Sequence, residues 1–242
     1  MFAMAGKYPV LCLILLMVLT ACKAEKLPEP KKPQAPVIVK PKRPTLTPEQ
    51  RGELGFPADI ISKVELSAGS EAEPFFVSVV VPSENLKGEK GVEQDHLAGF
   101  SVRTKQADEL ISSYRAGLRV RGYLIFRSQK SYGNLPDIVT VIKGNNSYDI
   151  LKIQRTEAPT YRLDTKAIIA WLKQQQQLGS FVVTGAGPDW LETRFIKPPQ
   201  NMKLLARKVY AFAPDVRHYG PRTEDKLAER MKKTNGFYLV WD

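Results

Sequence analysis

Residues 181–196 read FVVTGAGPDWLETRFI, and this stretch decides the fold. The run FVVT (181–184) is apolar and β-branched, which predicts a short buried strand, and residues 190–196 predict a second strand. Between them, GAGP (185–188) ends the first strand. A glycine-rich loop after a strand can bind phosphate, but it then needs the N-terminus of a following helix. Because a strand follows here, we expect a tight turn.

Helices and strands alternate irregularly around this hairpin. Residues 47–50 look like a helix-starting capping box with Pro48 at the first helical position, and residues 84–94 predict a polar loop. We expect further helices at residues 106–118, from Asp164 or Thr165 to 177, at 202–212, and from Thr223 to just before Gly236. We expect further strands at residues 73–82, 123–126, 138–142 and 237–241. Such an order predicts an α+β fold, a single domain with a mixed β-sheet flanked by helices.

The N-terminus is typical of an export signal. Lys7 precedes an apolar run, residues 10–19, that is too short to cross a bilayer as a helix, which takes roughly 20 residues. Leu19-Thr20-Ala21-Cys22 resembles the bacterial lipobox, and the resemblance implies cleavage before Cys22 and its modification with lipid, including palmitate. Two alternatives are an ordinary signal peptide with an incidental thiol and an uncleaved anchor. Cysteine usage disfavours the first, since cleavage leaves Cys22 as the only cysteine.

The predicted organisation has three parts: a signal peptide (1–21), a lipidated cysteine with a proline- and lysine-rich tether (22–46), and a globular domain (47–242). The tether lysines suit either contact with anionic headgroups or a solvated linker without a partner. Lys23, directly after the cysteine, favours the outer membrane over the inner one, on the periplasmic face. Although the net charge is +11, export and the lack of interleaved aromatic residues argue against nucleic acid.

Four short motifs of the C-terminal half carry a family resemblance. In order they are YDIL (148–151), GAGPDWLE (185–192), APD at 213–215 with the segment up to Gly220, and FYLVWD (237–242). Together they resemble the bacterial domain of unknown function family 4253, from about Gly122 to the C-terminus. This chain has Ala213 where members commonly have Cys, and Val240 where they commonly have Trp. The resemblance implies a fold and shared positions but no activity, and the missing cysteine excludes thiol chemistry at position 213.

The residues that nucleophilic catalysis or zinc binding would need are scarce. The chain has two histidines, His96 and His218, no Gly-x-Ser-x-Gly motif and no clustered Cys and His, so we expect no metal and no cofactor. One acidic set near element ends could bind a hard cation or perform acid–base chemistry if the loops converge: Asp189, Glu192, Asp215, His218 and Asp242.

The simpler interpretation of this set is structural. Asp189 and Asp215 would cap turns, Asp242 would be a terminal charge and His218 a surface histidine, since Asp is common at such boundaries. Three tryptophans with apolar neighbours are expected in the core: Trp171, Trp190 and Trp241.

Two classes of function fit these patterns. The first is a non-catalytic interaction protein held at the cell envelope by its lipid and engaging a protein partner, for example an immunity factor that neutralises an incoming toxin. The alternative is a metal-assisted or acid–base hydrolase that uses the Asp, Glu and His residues at loop ends. The sequence leaves the biochemical activity open between them.

Overall fold

One mixed β-sheet organises the part of the chain that the computed structural model describes, residues 44–81, 92–133 and 135–242. Its strands are β1 Glu73–Val81, β2 Val92–Thr104, β3 Tyr123–Gln129, β4 Asp137–Lys143, β5 Ser180–Ala186, β6 Trp190–Lys197 and β7 Tyr238–Val240. They lie in the order β1-β2-β4-β3-β5-β6-β7. Neighbours are antiparallel except β3 and β5, which are parallel. The sheet is therefore mixed, as predicted.

Helices cover both faces of this sheet. They are α1 Pro48–Leu54, α2 Ala58–Ala68, α3 Ala107–Val120, α4 Asp149–Ile153, α5 Thr165–Gln175, α6 Met202–Phe212, α7 Val216–Tyr219 and α8 Glu224–Thr234. Successive strand residues point to opposite faces, so Ile125 joins the core under α1–α3 while Phe126 joins the core under α4–α8. The predicted α+β class is confirmed.

Local capping signals explain where several helices begin. Thr47 and Gln50 form the predicted reciprocal capping box before α1. Of the two candidates for α5, Asp164 is the cap, because its carboxylate accepts from the backbone N–H of Ala167 at 2.7 Å. Thr223 caps α8 as expected. These boundaries follow from short-range hydrogen bonds that the sequence makes visible.

The prediction was wrong or incomplete in the N-terminal half. Residues 92–94, assigned to a loop, belong to β2, and neither that strand nor α2 was predicted. The start of β2 is polar, with Gln94, Asp95 and His96 exposed, so its pairing with β1 rather than its apolar content makes it a strand. The strand β3 also runs on to Gln129, beyond the predicted end at Phe126.

The tryptophans are less uniformly buried than predicted. Trp241 is buried, and Trp171 packs against the α4–α8 core with its ring stacked 4.3 Å from that of Phe212. Trp190 is half-buried and stacks on Tyr238. Its flat ring therefore lies beside the charged site described below rather than inside the core.

The predicted signal peptide, Cys22 and the tether up to residue 43 lie outside the described residues. Leu46, the last residue of the predicted tether, is buried, and its N–H donates to the carbonyl of Ala72 at 2.7 Å. No helix in the described ranges combines the length and the apolar character needed to cross a membrane.

Candidate functional site

Asp215 is a buried carboxylate at the start of α7, with 6% of its surface exposed. Its Oδ1 accepts from the Tyr161 hydroxyl at 2.8 Å and its Oδ2 from the Asp242 backbone N–H at 2.9 Å. The prediction that Asp215 caps a turn is wrong, because its side chain makes no capping hydrogen bond to α7. Its own backbone is helical (φ −67°, ψ −16°), whereas a capping side chain usually needs an extended residue. Asp215 thus joins distant segments instead of capping a local turn.

Two of the other acidic-set candidates gather around Asp215. The His218 Nδ1 lies 3.6 Å from the Asp215 Oδ1, although the histidine side chain is 76% exposed. The Tyr219 hydroxyl donates to the Asp242 carboxylate. The hydrogen bond to Asp215 raises the pKa of Tyr161, and that to Asp242 raises the pKa of Tyr219, so both phenols stay protonated donors. Asp215 and Asp242 are therefore joined by a hydrogen bond, and His218 lies beside them at ion-pair distance from Asp215.

Asp189 lies in the turn between β5 and β6. The predicted tight turn is confirmed: Gly187 N–H donates to the Trp190 carbonyl at 2.9 Å, and the two strands pair antiparallel. The Asp189 side chain is exposed, while its carbonyl accepts from the Trp241 N–H at 2.9 Å. Its contribution in this structure is a backbone contact to the C-terminal segment.

Glu192 belongs to a different cluster, centred on Arg127. Both of its carboxylate oxygens lie 2.6 Å from the Arg127 Nη1. The guanidinium Nη2 contacts Asp108 at 3.0 Å and Nε lies 2.9 Å from Asp137. The Arg127 side chain is only 6% exposed. The loops that carry the predicted set thus do not converge on one centre, because Glu192 is held by a buried arginine on β3.

The sheet register explains how this ion pair forms across a strand. Arg127 on β3 pairs with Gly185 on β5, and Gly185 pairs with Glu192 on β6. A β-carbon at Gly185 would lie 2.7 Å from the Glu192 Cγ and 2.8 Å from its Oε1. Glycine at 185 therefore leaves the space through which the two charged side chains meet over the intervening strand.

The pKa values of two members of this cluster, Arg127 and Asp108, are shifted in favour of their charged forms. Burial lowers the pKa of Arg127, but Glu192, Asp108 and Asp137 more than offset it and the pKa is raised. Burial acts to raise the pKa of Asp108, yet Arg127 and Arg194 lower it overall. Asp108 also bridges to Arg194, whose Nη2 lies 2.8 Å away. A buried guanidinium is costly to desolvate, and three carboxylates offset that cost for Arg127, although its Nε, 2.9 Å from Asp137, makes no hydrogen bond within the described residues.

Beside the Arg127 cluster lies a cavity of about 520 Å³. That volume is within the roughly 300–1,000 Å³ typical of ligand pockets. Its wall combines apolar side chains of α8, three tyrosines and charged groups. The charged and phenolic lining residues are Asp108, Arg127, Lys130, Tyr132, Glu192, Arg194, Tyr219, Arg230 and Tyr238.

Sequence reasoning missed most of this site. It singled out only acidic residues and histidine, so Arg127, Lys130, Arg194 and Arg230 were not considered. A signal was present for Arg127, which directly follows the apolar run of a predicted strand, where a charged residue needs a buried partner. Finding that partner required the order of the strands.

The chemistry available to the acidic residues is limited by their existing contacts. Within the described ranges no three His, Cys, Asp or Glu side chains lie close enough together to hold a metal ion. His96 and His218 are both exposed, and neither shares a hydrogen bond with a serine or threonine hydroxyl in that part of the chain. Among the described residues, the arrangement presents charged and aromatic groups to a cavity.

Comparison with known proteins finds one family model that is similar to the C-terminal part of the chain. Residues 138–242 match the model of the domain of unknown function DUF4253. The resemblance predicted from the four motifs is thereby confirmed for this range, which contains the Asp215 group together with Glu192, Arg194 and Arg230. Asp108, Arg127 and Lys130 precede it. Searches of curated proteins and of solved structures found no match.

Proposed function

We propose that this chain is a lipid-anchored protein of the bacterial cell envelope that binds a partner without catalysing a reaction. The observation that carries the binding role is the cavity of about 520 Å³, whose carboxylates are already engaged by the protein itself. Glu192 is held by Arg127, and Asp108 bridges two arginines. Asp108 in that state is a poor general base, because Arg127 and Arg194 lower its pKa.

The contacts of Asp215 also support a binding role without catalysis. Both oxygens of Asp215 accept hydrogen bonds that tie α7 to Tyr161 and to the C-terminal segment. His218, a possible base, lies 3.6 Å from that carboxylate and is largely solvent-exposed. These contacts suit a scaffold that fixes one side of the cavity better than a hydrolase, the alternative from the sequence.

Attachment to the envelope is proposed from the sequence. The apolar run at residues 10–19 and the lipobox-like Leu19-Thr20-Ala21-Cys22 support export and lipidation at Cys22. One acyl chain anchors only marginally, whereas several make attachment durable. Lys23 supports retention at the outer membrane, facing the periplasm. Attachment at the outer membrane favours a partner that enters the envelope from outside. A toxin that is neutralised by an immunity factor is one example.

The experiment is site-specific photo-cross-linking with the full-length chain in intact cells. The cross-linking residue replaces Tyr219, which lines the cavity and is 58% exposed. In the matched control it replaces Leu66, which is 84% exposed and does not line the cavity. We expect a discrete cross-linked species from position 219 that is missing from position 66. No adduct at 219, or the same adducts at both positions, would overturn the binding proposal.

A further inference from the structure

The cations of the cavity wall are not all neutralised. Four positively charged residues line it, Arg127, Lys130, Arg194 and Arg230, against the two carboxylates Asp108 and Glu192. A third carboxylate, Asp137, reaches Arg127 from outside the lining. The wall therefore keeps an excess of positive charge that a bound anion would balance.

Arg230 carries the most available part of that excess. Within residues 44–81, 92–133 and 135–242, no carboxylate lies within ion-pair distance of its guanidinium. It lies against Gly220, where an added β-carbon would be 3.2 Å from the Arg230 Nη1. Arg194 is 34% exposed and is held by Asp108 and by the Thr234 carbonyl. Arg194 is thus fixed by its contacts, whereas Arg230 is open to a ligand.

Aromatic rings occupy another part of the wall. The Tyr132 and Tyr238 hydroxyls lie 3.1 Å apart. The Tyr238 ring stacks with Trp190 at 5.9 Å between centroids, and the Lys130 ammonium lies 5.2 Å from the Tyr238 ring centroid. Tyr132 is 79% exposed and Tyr219 is 58% exposed, so ring surface is free for a ligand to cover.

We propose that this cavity binds a small carboxylate carried on a flat, apolar body. The carboxylate pairs with Arg230, and the flat body lies against the tyrosine rings. A guanidinium presents two parallel N–H donors that match a carboxylate, which favours this anion over a neutral or cationic group. The inference rests on the proposed function, since it takes the cavity to be the binding site and names the chemical group that a partner presents to it.

The test is calorimetric titration of the full mature protein in detergent micelles with naphthoate and with its neutral amide, naphthamide. The two probes share one shape and differ in charge, and titration of protein-free micelles corrects for partitioning. We expect naphthoate to bind about tenfold more tightly than naphthamide, the effect of one charged hydrogen-bonded contact. Equal binding of the two probes, or no binding of naphthoate, overturns the proposal.

Variants assign the effect to the cavity. Arg230→Gln should weaken naphthoate about tenfold and leave naphthamide unchanged. Lys232→Gln removes the same charge from the other side of α8, where it lines a separate pocket, and should change neither probe. Tyr132→Ala removes a ring and no charge, so it should weaken both probes alike. Naphthoate binding that survives Arg230→Gln, in a variant with the wild-type melting temperature, contradicts the proposed contact.

Together, the titration and the cross-linking experiment test the class of ligand and the protein-partner role separately. If naphthoate fails while the adduct at position 219 persists, the class of ligand is wrong and the binding role stands. If naphthoate binds at Arg230 and no adduct forms, the cavity is a small-molecule site and the protein-partner role is wrong.

Discussion

Replacement of Asp215 offers a quantitative test of its role as a scaffold. The carboxylate is 6% exposed and accepts two hydrogen bonds, from the Tyr161 hydroxyl at 2.8 Å and from the Asp242 N–H at 2.9 Å. Hydrogen bonds to charged groups contribute about 1.5–3 kcal/mol each. Because Tyr161 is only half-buried and Asp242 is exposed, both donors can turn to water, and the lower value applies to each.

Asp215→Ala should therefore lower the free energy of unfolding by about 3 kcal/mol. For a domain of this size, 1 kcal/mol corresponds to roughly 2–4 °C, so the melting temperature should fall by about 6–12 °C. Asp215→Asn keeps one acceptor oxygen, and its amide can donate to a rotated Tyr161 hydroxyl. Its loss should be about 1 kcal/mol.

Urea unfolding followed by circular dichroism measures these differences. Asp225→Ala is the matched control, because this carboxylate is 68% exposed in its pair with Lys203 and should contribute less than about 0.5 kcal/mol. A double-mutant cycle with Tyr161→Phe should give a coupling of about 1 kcal/mol between the two side chains.

A rise in melting temperature in Asp215→Asn would refute the scaffold role, since catalytic and ligand-binding sites often gain stability when a strained charge is removed. Stabilisation of the wild type by a divalent cation, lost in the variant, would equally favour a functional site over a scaffold.

Three further predictions concern other parts of the chain. Gly185→Ala places a β-carbon 2.7 Å from the Glu192 Cγ and should lower the free energy of unfolding in urea by about 2 kcal/mol. Unchanged stability would show that the ion pair between Arg127 and Glu192 does not depend on the space at Gly185. Arg121 lowers the pKa of Asp59 to about 2, so this pair stabilises the fold above the ordinary carboxyl pKa near 4 and loses that effect as the pH falls towards 2. The melting temperature of Arg121→Gln should therefore fall less between pH 4 and pH 2 than that of the wild type. The same dependence of melting temperature on pH in both proteins would contradict this. Cys22→Ala should abolish palmitate labelling and leave unprocessed precursor, whereas retained labelling would rule out Cys22 as the lipid site.

Short-range signals made much of the fold predictable. The Thr47 capping box, the caps at Asp164 and Thr223, and the glycine-rich turn before Asp189 each depend on contacts within a few residues. Such contacts form wherever the local sequence allows them, so their positions could be predicted without knowing the sheet. The polar start of β2 was missed for the opposite reason, since its strand conformation depends on pairing with β1.

The candidate site was decided by tertiary structure. Arg127 meets Glu192 across 65 residues of sequence and Asp108 across 19, and Asp215 meets Tyr161 across 54. The sequence by itself determined which residues are charged and where most of the strands and helices lie, with β2 and α2 as exceptions. Only the placement of β5 between β3 and β6 aligned Arg127 with Glu192, because a residue pattern specifies the two faces of a strand but not which strands become its neighbours.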